Sequence, residues 1–346
     1  MISVVVVNFN GKDLLQKNLP RLLELLKKLG SEHEVILADD CSTDGSCEYA
    51  AGLGLIVSKT EKNSGFSTNV DRAFRQARGE VVFSIKNDAI PADAGYFSLL
   101  LKHFDNPKVF AVSAALETIE NGKKEVRGQG IIIFHRGFFL HFRTHEDYVA
   151  WLQTMRSTRV SGGSVSGGSD PGQGPTLSAL SAVSGWPDGG ASAFRKDLYL
   201  KIGGFDSLYN PFYWEDVDLG WRAWKAGYQI DFEPEARLLH NYEAGAIRKN
   251  YAPGQVRAIS QRNQFIFVWK NGDWKHLLWY FWWEPYHFAV ALKNGDWPFF
   301  AAYWQALKRA PAILAARARQ RPLSALADEE VLHAFTLARP AGQKPA

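Results

Sequence analysis

The sequence predicts an α/β fold built on a doubly wound, mainly parallel sheet. Three observations carry this expectation. Short β-branched runs alternate with helix-length segments through the first third of the chain. The runs are almost continuously apolar, as strands covered on both faces are. Several stop at an acid or an asparagine, where the ligand crevice of such a sheet lies.

Taken in order, residues 2–7 are the first strand and residues 13–29 the first helix, with Pro20 marking a kink or a restart. Residues 35–38 form a second strand that ends in Asp39 and Asp40. The segment DGSCEYA opens a short helix, with Thr43 or Asp44 as its cap. Residues 55–58 are strand three, 66–77 a helix, and 80–85 strand four, which ends at Lys86, Asn87 and Asp88. Asn8, Asp39, Asp40 and Asp88 therefore fall at carboxyl ends of strands. After an Asn-Gly turn at 121–122, residues 125–142 read as extended or hairpin structure. Residues 161–184 form a loop rich in glycine and serine. A strand at 191–194, a helix closed by Gly203 and Gly204, an acidic helix, and a strand ending at His240 follow. Beyond about residue 255 the chain turns helical and rich in tryptophan and phenylalanine. The expected organisation is a unit at 1–254, with a donor half at 1–120 and an acceptor half at 121–254, and a helical extension at 255–346.

Composition narrows the function. The chain has 346 residues, 46% hydrophobic and 22% charged, which is ordinary globular composition. A net charge of +4 without a basic block gives no support for nucleic-acid binding. Cys41 and Cys47 make neither a disulfide framework nor a CxxC pair, and read as cytosolic thiols. The opening MISVVVVNFNG lacks the features of a secretory leader, and no run reaches the roughly 18–20 apolar residues of a spanning helix. The expected location is the cytoplasm, either free or peripheral on the cytoplasmic face of a membrane.

The segment WEDVDLGWRAW, residues 214–224, places Glu215, Asp216 and Asp218 in one helical turn among tryptophans. First-turn acids complement the helix dipole, and Asp218 is spaced to pair with Arg222. Asp216 shares a stripe with Gly220 and Ala223, side chains too small to cover it, so it reads as a carboxylate open to a ligand. Asp39 and Asp40 are suited to accept hydrogen bonds from a base and ribose, although turn chemistry explains the same pair. Asp88 is suited to one hard-cation contact and His240 to the same ion. A cation that neutralises a diphosphate and a carboxylate that takes a proton from a hydroxyl make a group-transfer site.

Seven segments appear in a familiar order: VVVVNFNG, ADDCSTDGS, NSGFSTNVDRAF, IKNDAIP, GGASAFRKDLYLKIGGFD, FYWEDVDLGWRAWKAGY and PEARLLH. The chain resembles the family 2 glycosyltransferases, inverting enzymes of the GT-A fold, and its late segments resemble the bacterial rhamnosyltransferase-like subgroup that builds surface polysaccharides. The resemblance implies transfer of a sugar from a UDP-, dTDP- or GDP-linked donor to a glycan or polyprenyl-linked acceptor. It implies donor contacts from Asn8, Asp39, Asp40, Lys86, Asn87 and Asp88. Mg or Mn would sit on Asp88 and His240, and Asp216 would be the catalytic base. Glu215, Gly189 and Gly190 would lie on the acceptor side, and Arg248 and Lys249 would close over the diphosphate. Lys86 departs from the family, which has an acid or asparagine there; it would contact phosphate directly or weaken metal binding. A catalytically silent nucleotide-sugar-binding scaffold and, further off, a nucleotidyltransferase are the competing readings.

The aromatic tail has two readings, core helices or an interfacial membrane anchor. The five basic residues from Lys308 to Arg321, with no acid among them, favour an anionic membrane surface as a partner.

Overall fold

Strand order explains where the ligand crevice falls. The computed structural model describes residues 1–120, 123–160, 183–240, 247 and 250–336. The first four strands are β1 (Ile2–Asn8), β2 (His33–Asp39), β3 (Ile56–Lys59) and β4 (Val81–Lys86). They pair in parallel in the order β3-β2-β1-β4. The chain winds one way from β1 to β3 and then crosses back to β4, so a crevice opens between the carboxyl ends of β1 and β4. Register places Asn8 opposite Asp39 and Val7 opposite Lys86 at that crevice.

The far half of the sheet departs from the parallel expectation. Beyond β4 the order continues through β10 (Ala191–Arg195), β6 (Val109–Glu120), β11 (Gln229–His240) and β5 (Ala89–Pro91), with β7 (Lys123–Arg127) on the edge of β6. β10 runs antiparallel to both β4 and β6, whereas β11 is parallel to β6. The three-residue β5 pairs antiparallel with β11 and sets His240 opposite Ala89, next to Asp88. β8 (Ile131–His135) and β9 (Phe138–Phe142) form a separate hairpin, as the extended reading of that stretch allows.

Helices cover the sheet. α1 (Lys12–Leu29) is continuous through Pro20, so the proline neither divides nor restarts it. α2 (Ser46–Gly52) starts from Gly45 in the left-handed region, not from a Thr43 or Asp44 cap; the Asp44 carboxylate instead accepts from Ser46 N and Oγ. α3 (Phe66–Gln76), α4 (Gly95–Leu101), α5 (His145–Val160) and α6 (Lys196–Lys201) follow. The Gly/Ser-rich stretch of the sequence reading lies outside the described residues apart from Val183 and Ser184.

The acidic helix α7 (Glu215–Lys225) joins the sheet to the carboxyl-terminal helices α8 (Pro253–Asn271), α9 (Trp274–Lys293), α10 (Trp297–Leu307), α11 (Ala310–Gln320) and α12 (Asp328–Thr336). One apolar core runs from Val5 and Phe74 through Trp221 to Phe265, Tyr280, Ala302 and Ile313. The tail aromatics divide in two. Phe265 and Tyr280 are buried, with Tyr303 and Phe299 packed edge-on against Phe265. Trp274, Leu278, Trp282 and Leu292 of α9, with Trp297 and Trp304 of α10, face outward and are exposed. The basic run is also divided: Arg309 donates to Leu208 O and Arg317 to Gly272 O, so these two hold helices in place. Among the described residues no helix is long and apolar enough to cross a membrane.

A buried ionic cluster fixes α7. Asp218 is fully buried and accepts from Arg222 Nε (2.8 Å), Lys270 Nζ (2.8 Å), Asn271 Nδ2 (2.8 Å) and Tyr209 Oη (2.8 Å). Lys270 also reaches Asp206 at 2.6 Å, and Arg222 donates to Ile202 O and Gly204 O. Burial alone would raise the Asp218 carboxyl, but Arg222 and Lys270 outweigh it and hold it at about 2. Breaking such a cluster strands a buried charge, which costs about 3–5 kcal/mol. Asp218→Asn is therefore expected to lose that much stability in urea denaturation at neutral pH. Because the folded-state pKa lies below the unfolded value of about 3.9, the wild-type advantage is complete above that value and disappears as pH falls towards 2. An unchanged urea midpoint at pH 7 would show that the cluster contributes nothing.

Candidate active site

Two cavities meet at Asp216. The first, of about 300 Å³, lies over the crevice between β1 and β4 and is lined by Asn8, Asp40, Lys86, Asn87, Asp88 and His240, with Asp188, Glu215 and Asp216 on its far wall. The second, of about 720 Å³, is lined by His141 of β9 and Arg143 just after it, by Trp186, Tyr213 and Trp214, and by Val256, Arg257 and Gln261 of α8. Asp216, Arg143, Trp186, Tyr213 and Tyr251 line both.

The floor of the smaller cavity is a hydrogen-bonded clamp across three strand ends. Asn8 donates to Asp39 Oδ2 (2.9 Å) and accepts from Asn87 Nδ2 (2.7 Å). Asp39 itself is fully buried, its other oxygen takes the Ser42 N–H, and it does not line the cavity. Asp39 thereby positions Asn8, whose side chain does line the cavity. Asp40 does line the cavity and accepts from Ser64 N (2.8 Å), Gly65 N (2.9 Å) and Thr60 Oγ1 (2.9 Å), which shapes the adjoining loop.

The β5–β11 pairing brings Asp88 and His240 together. His240 Nε2 lies 3.4 Å from Asp88 Oδ1, and that buried oxygen has no hydrogen-bond partner among the described residues. A buried carboxylate oxygen without a proton donor, facing an imidazole nitrogen, suits a divalent cation. Lys86 reaches Asp188 at 3.5 Å. Burial would lower its ammonium, but Asp188 and Asp88 outweigh that and hold it up, so the lysine is a permanent cation beside the site.

Asp216 is half-buried, and within the described residues its carboxylate accepts only from the N–H of Val217, at 2.8 Å. Burial and the nearby Asp188 raise its pKa to about 6. Its neighbour Glu215 is pushed well above the usual carboxylate range by burial and by Asp216. The small residues on the stripe of Asp216 have another purpose than leaving it open. A Cβ on Gly220 would come within 2.6 Å of Trp186 Cα, so Gly220 admits the backbone of Trp186. Asp216 is reached through the two cavities, not over Gly220.

The residues expected on the acceptor side differ in placement. Gly189 and Glu215 line the smaller cavity only, and Gly190 lines neither. A Cβ on Gly189 would crowd Phe66, and one on Gly190 would overlap the Lys86 side chain, so close approach explains both glycines. Arg248 and Lys249 lie outside the described residues. Two site residues escaped sequence reading. Asp188 was hidden as a turn acid before two glycines, its carboxylate accepting from Gly190 N at 2.9 Å. Arg143 follows a hairpin that carries no motif.

Asp273, His276 and Asp328 form a second group with metal-like spacing. Asp328 already accepts from Lys225 Nζ and from the backbone N–H of Asp273, so this group ties α7, α9 and α12 together and has its charges matched within the protein.

Residues 3–160 match the model for glycosyl transferase family 2. Over that stretch, just under half of its length, the chain is similar to that family. The chain is 24% identical over 284 residues to N-acetylglucosaminyl-diphospho-decaprenol L-rhamnosyltransferase of Mycobacterium tuberculosis, covering 78% of this chain and 84% of the relative. A shorter stretch of 93 residues is 32% identical to undecaprenyl-phosphate 4-deoxy-4-formamido-L-arabinose transferase of Pseudomonas fluorescens, or 25% of this chain and 27% of the relative. Among solved structures it is similar to GalNAc-T7 with UDP, GalNAc and Mn2+ (TM-score 0.53, 16% identity, 78% of this chain) and spans about half, 47%, of that chain. It is similar too to a fragment of S. aureus TarS in complex with UDP-GlcNAc (TM-score 0.50, 17% identity, 98% of this chain and 92% of that one). The curled, mainly parallel sheet with flanking helices is the GT-A fold.

Proposed function

We propose that this chain is a family 2 glycosyltransferase that transfers a sugar, with inversion, from a nucleoside diphosphate donor to a hydroxyl of a glycan or polyprenyl-linked acceptor in surface-polysaccharide synthesis. The observation that carries the reading is the position of Asp216. It is a carboxylate with one local hydrogen bond, raised to about 6, at the junction of two cavities.

The donor nucleoside would lie on Asn8 and Asp40, with its diphosphate towards Lys86, Asn87 and Asp88. Asp88 and His240 would hold Mg or Mn, which when bound supplies charge neutralisation for the diphosphate leaving group. Lys86 places a fixed cation on the same side, and Asp188 orients Lys86 through their ion pair. Asp216 takes the proton as the acceptor hydroxyl attacks the anomeric carbon. A base with a pKa near working pH is mostly ionised and still holds a proton well. The M. tuberculosis relative acts on a diphospho-decaprenol-linked sugar by its name, which supports a lipid-linked acceptor for this chain. Residues 1–254 would then be the transferase unit and 255–346 an extension packed into its core.

The outward face of α9 and α10 supports a peripheral seat on a membrane. Trp274, Leu278, Trp282, Trp297 and Trp304 are each more than half exposed and form an apolar face of the kind that marks an interaction surface. Exposed Lys275, Lys293 and Lys308 flank it, as an anionic leaflet would favour.

Two outcomes follow. Asp216→Asn is expected to lower turnover about 10²- to 10⁴-fold with nucleotide affinity retained; near-normal turnover would refute the assignment of Asp216 as base. In flotation assays the protein is expected to rise with vesicles containing phosphatidylglycerol. The double change Trp274→Ser, Trp282→Ser should weaken binding at least about tenfold, the equivalent of about 1.4 kcal/mol. Equal recovery of wild type and variant would remove this face from the account.

A further inference from the structure

The smaller cavity contains a cation that the protein carries itself. Lys86 is the last residue of β4, and its side chain, 36% exposed, lines the cavity beside Asn87 and Asp88. Its one hydrogen-bond partner among the described residues is Asp188 Oδ1, at 3.5 Å, where a charge-assisted bond is well past its best length. The same oxygen accepts from Gly190 N at the shorter distance of 2.9 Å. An ammonium has three N–H donors, so most of its capacity is left for a ligand.

Backbone pairing fixes where that ammonium stands. The Lys86 N–H donates to Gly190 O at 3.2 Å, and Lys86 registers opposite Val7 of β1. Gly190 does not adopt a left-handed conformation, so its backbone does not demand glycine. A Cβ there would instead lie 2.3 Å from Lys86 Cγ and 2.6 Å from Lys86 Cε. The missing side chain leaves the lysine stem its path along the backbone. A stem confined in this way has already given up rotamer freedom, which lowers the cost of using its head group in binding.

The ligand set for a divalent ion nearby is thin. Asp88 and His240 offer one carboxylate and one imidazole, and among the described residues no third histidine, cysteine, aspartate or glutamate joins them at metal-ligand spacing. A hard divalent ion takes about six ligands, so most of its shell would come from water and from the nucleotide. Its place would depend on the nucleotide, whereas Lys86 holds its charge without one. The rest of the lining is rich in acids, with Asp40, Asp188, Glu215 and Asp216, so an entering diphosphate needs a fixed positive charge. Of the other cations on this lining, Arg127 is paired with Glu125 and Arg143 stands by the Tyr213 ring. Lys86, two residues from Asp88, is the cation at the strand end.

We propose that Lys86 is the group that neutralises the donor diphosphate in this chain, and that nucleoside diphosphates bind to it with no divalent cation present. The proposal deepens the transferase reading and rests on it. When the anomeric C–O bond breaks, the electron pair stays on the β-phosphate oxygen, and the Lys86 ammonium faces that charge and keeps its protons. The proton of the acceptor hydroxyl goes to Asp216, so the step balances without a second acid. Nucleotide affinity and metal affinity are thereby separate properties of the site.

The test uses the full chain and calorimetric titration of UDP, dTDP and GDP, once in EDTA and once with Mn2+. At least one nucleotide is expected to bind the wild type in EDTA with an affinity within about fivefold of its value in Mn2+. Lys86→Met keeps the length of the stem and removes the charge. It should weaken binding in EDTA at least about tenfold and binding in Mn2+ by much less, so that affinity becomes metal-dependent. Lys86→Gln serves as the second charge-free variant should Lys86→Met prove unstable. Wild-type binding that vanishes in EDTA would overturn the proposal. So would variants that bind in EDTA as the wild type does, or that weaken equally under both conditions, as a purely structural lysine would. Absence of nucleotide binding in EDTA and in Mn2+ alike would instead overturn the transferase reading, so the two failures are distinguishable.

Discussion

The buried carboxylate of Asp218 is the constraint on which the rest of the site depends. It gathers a lysine and an asparagine from α8, an arginine from its own helix and a tyrosine from the preceding loop around one group. Each partner would be costly to bury alone. Together they lock α7 against α8 and fix the azimuth of the acidic helix. Asp216, two residues earlier, is thereby turned away from the cluster and towards the cavities. The same helix therefore carries one carboxylate held at about 2 by two cations and another raised to about 6 by burial and Asp188. Two acids two residues apart acquire opposite properties from their surroundings alone.

The sheet supplies the other side of the site through register. Reversal of winding between β1 and β4 opens the crevice, and the Asn8–Asp39–Asn87 clamp ties three strand ends into its floor. The short β5 strand, by pairing with β11, brings Asp88 to His240 across 152 positions of sequence. Neither contact depends on the side chains being near in the chain. Each is a consequence of backbone pairing, which makes the geometry rigid.

Much of this was legible in the sequence, and the misses have physical causes. β-branched runs and helical spacing located most elements to within a few residues, because periodicity is a local property. Strand direction is not local: the short apolar run of β10 looks the same whether it enters the sheet parallel or antiparallel. Asp39 and Asp40 are adjacent in sequence, yet the alternation of a strand end sends one into the protein and the other into the cavity. Motif order alone could not separate them. Asp188 was concealed by its turn chemistry, and Arg143 and Gln261 lie on elements whose sequences hold only helical or hairpin pattern. Their significance comes from long-range packing around a cavity. The glycines of the GGASAF segment approach Phe66 and Lys86 closely, a constraint that packing reveals and sequence does not.

The central claim is that one carboxylate, poised by its surroundings, stands between donor and acceptor. The pH dependence of kcat/KM for sugar transfer tests it most directly. The account predicts a rate that rises tenfold per pH unit below about 6 and levels off above it, as Asp216 loses its proton. A profile flat from pH 5 to 7, or one that breaks only near the ordinary carboxylate value of about 4, would contradict it.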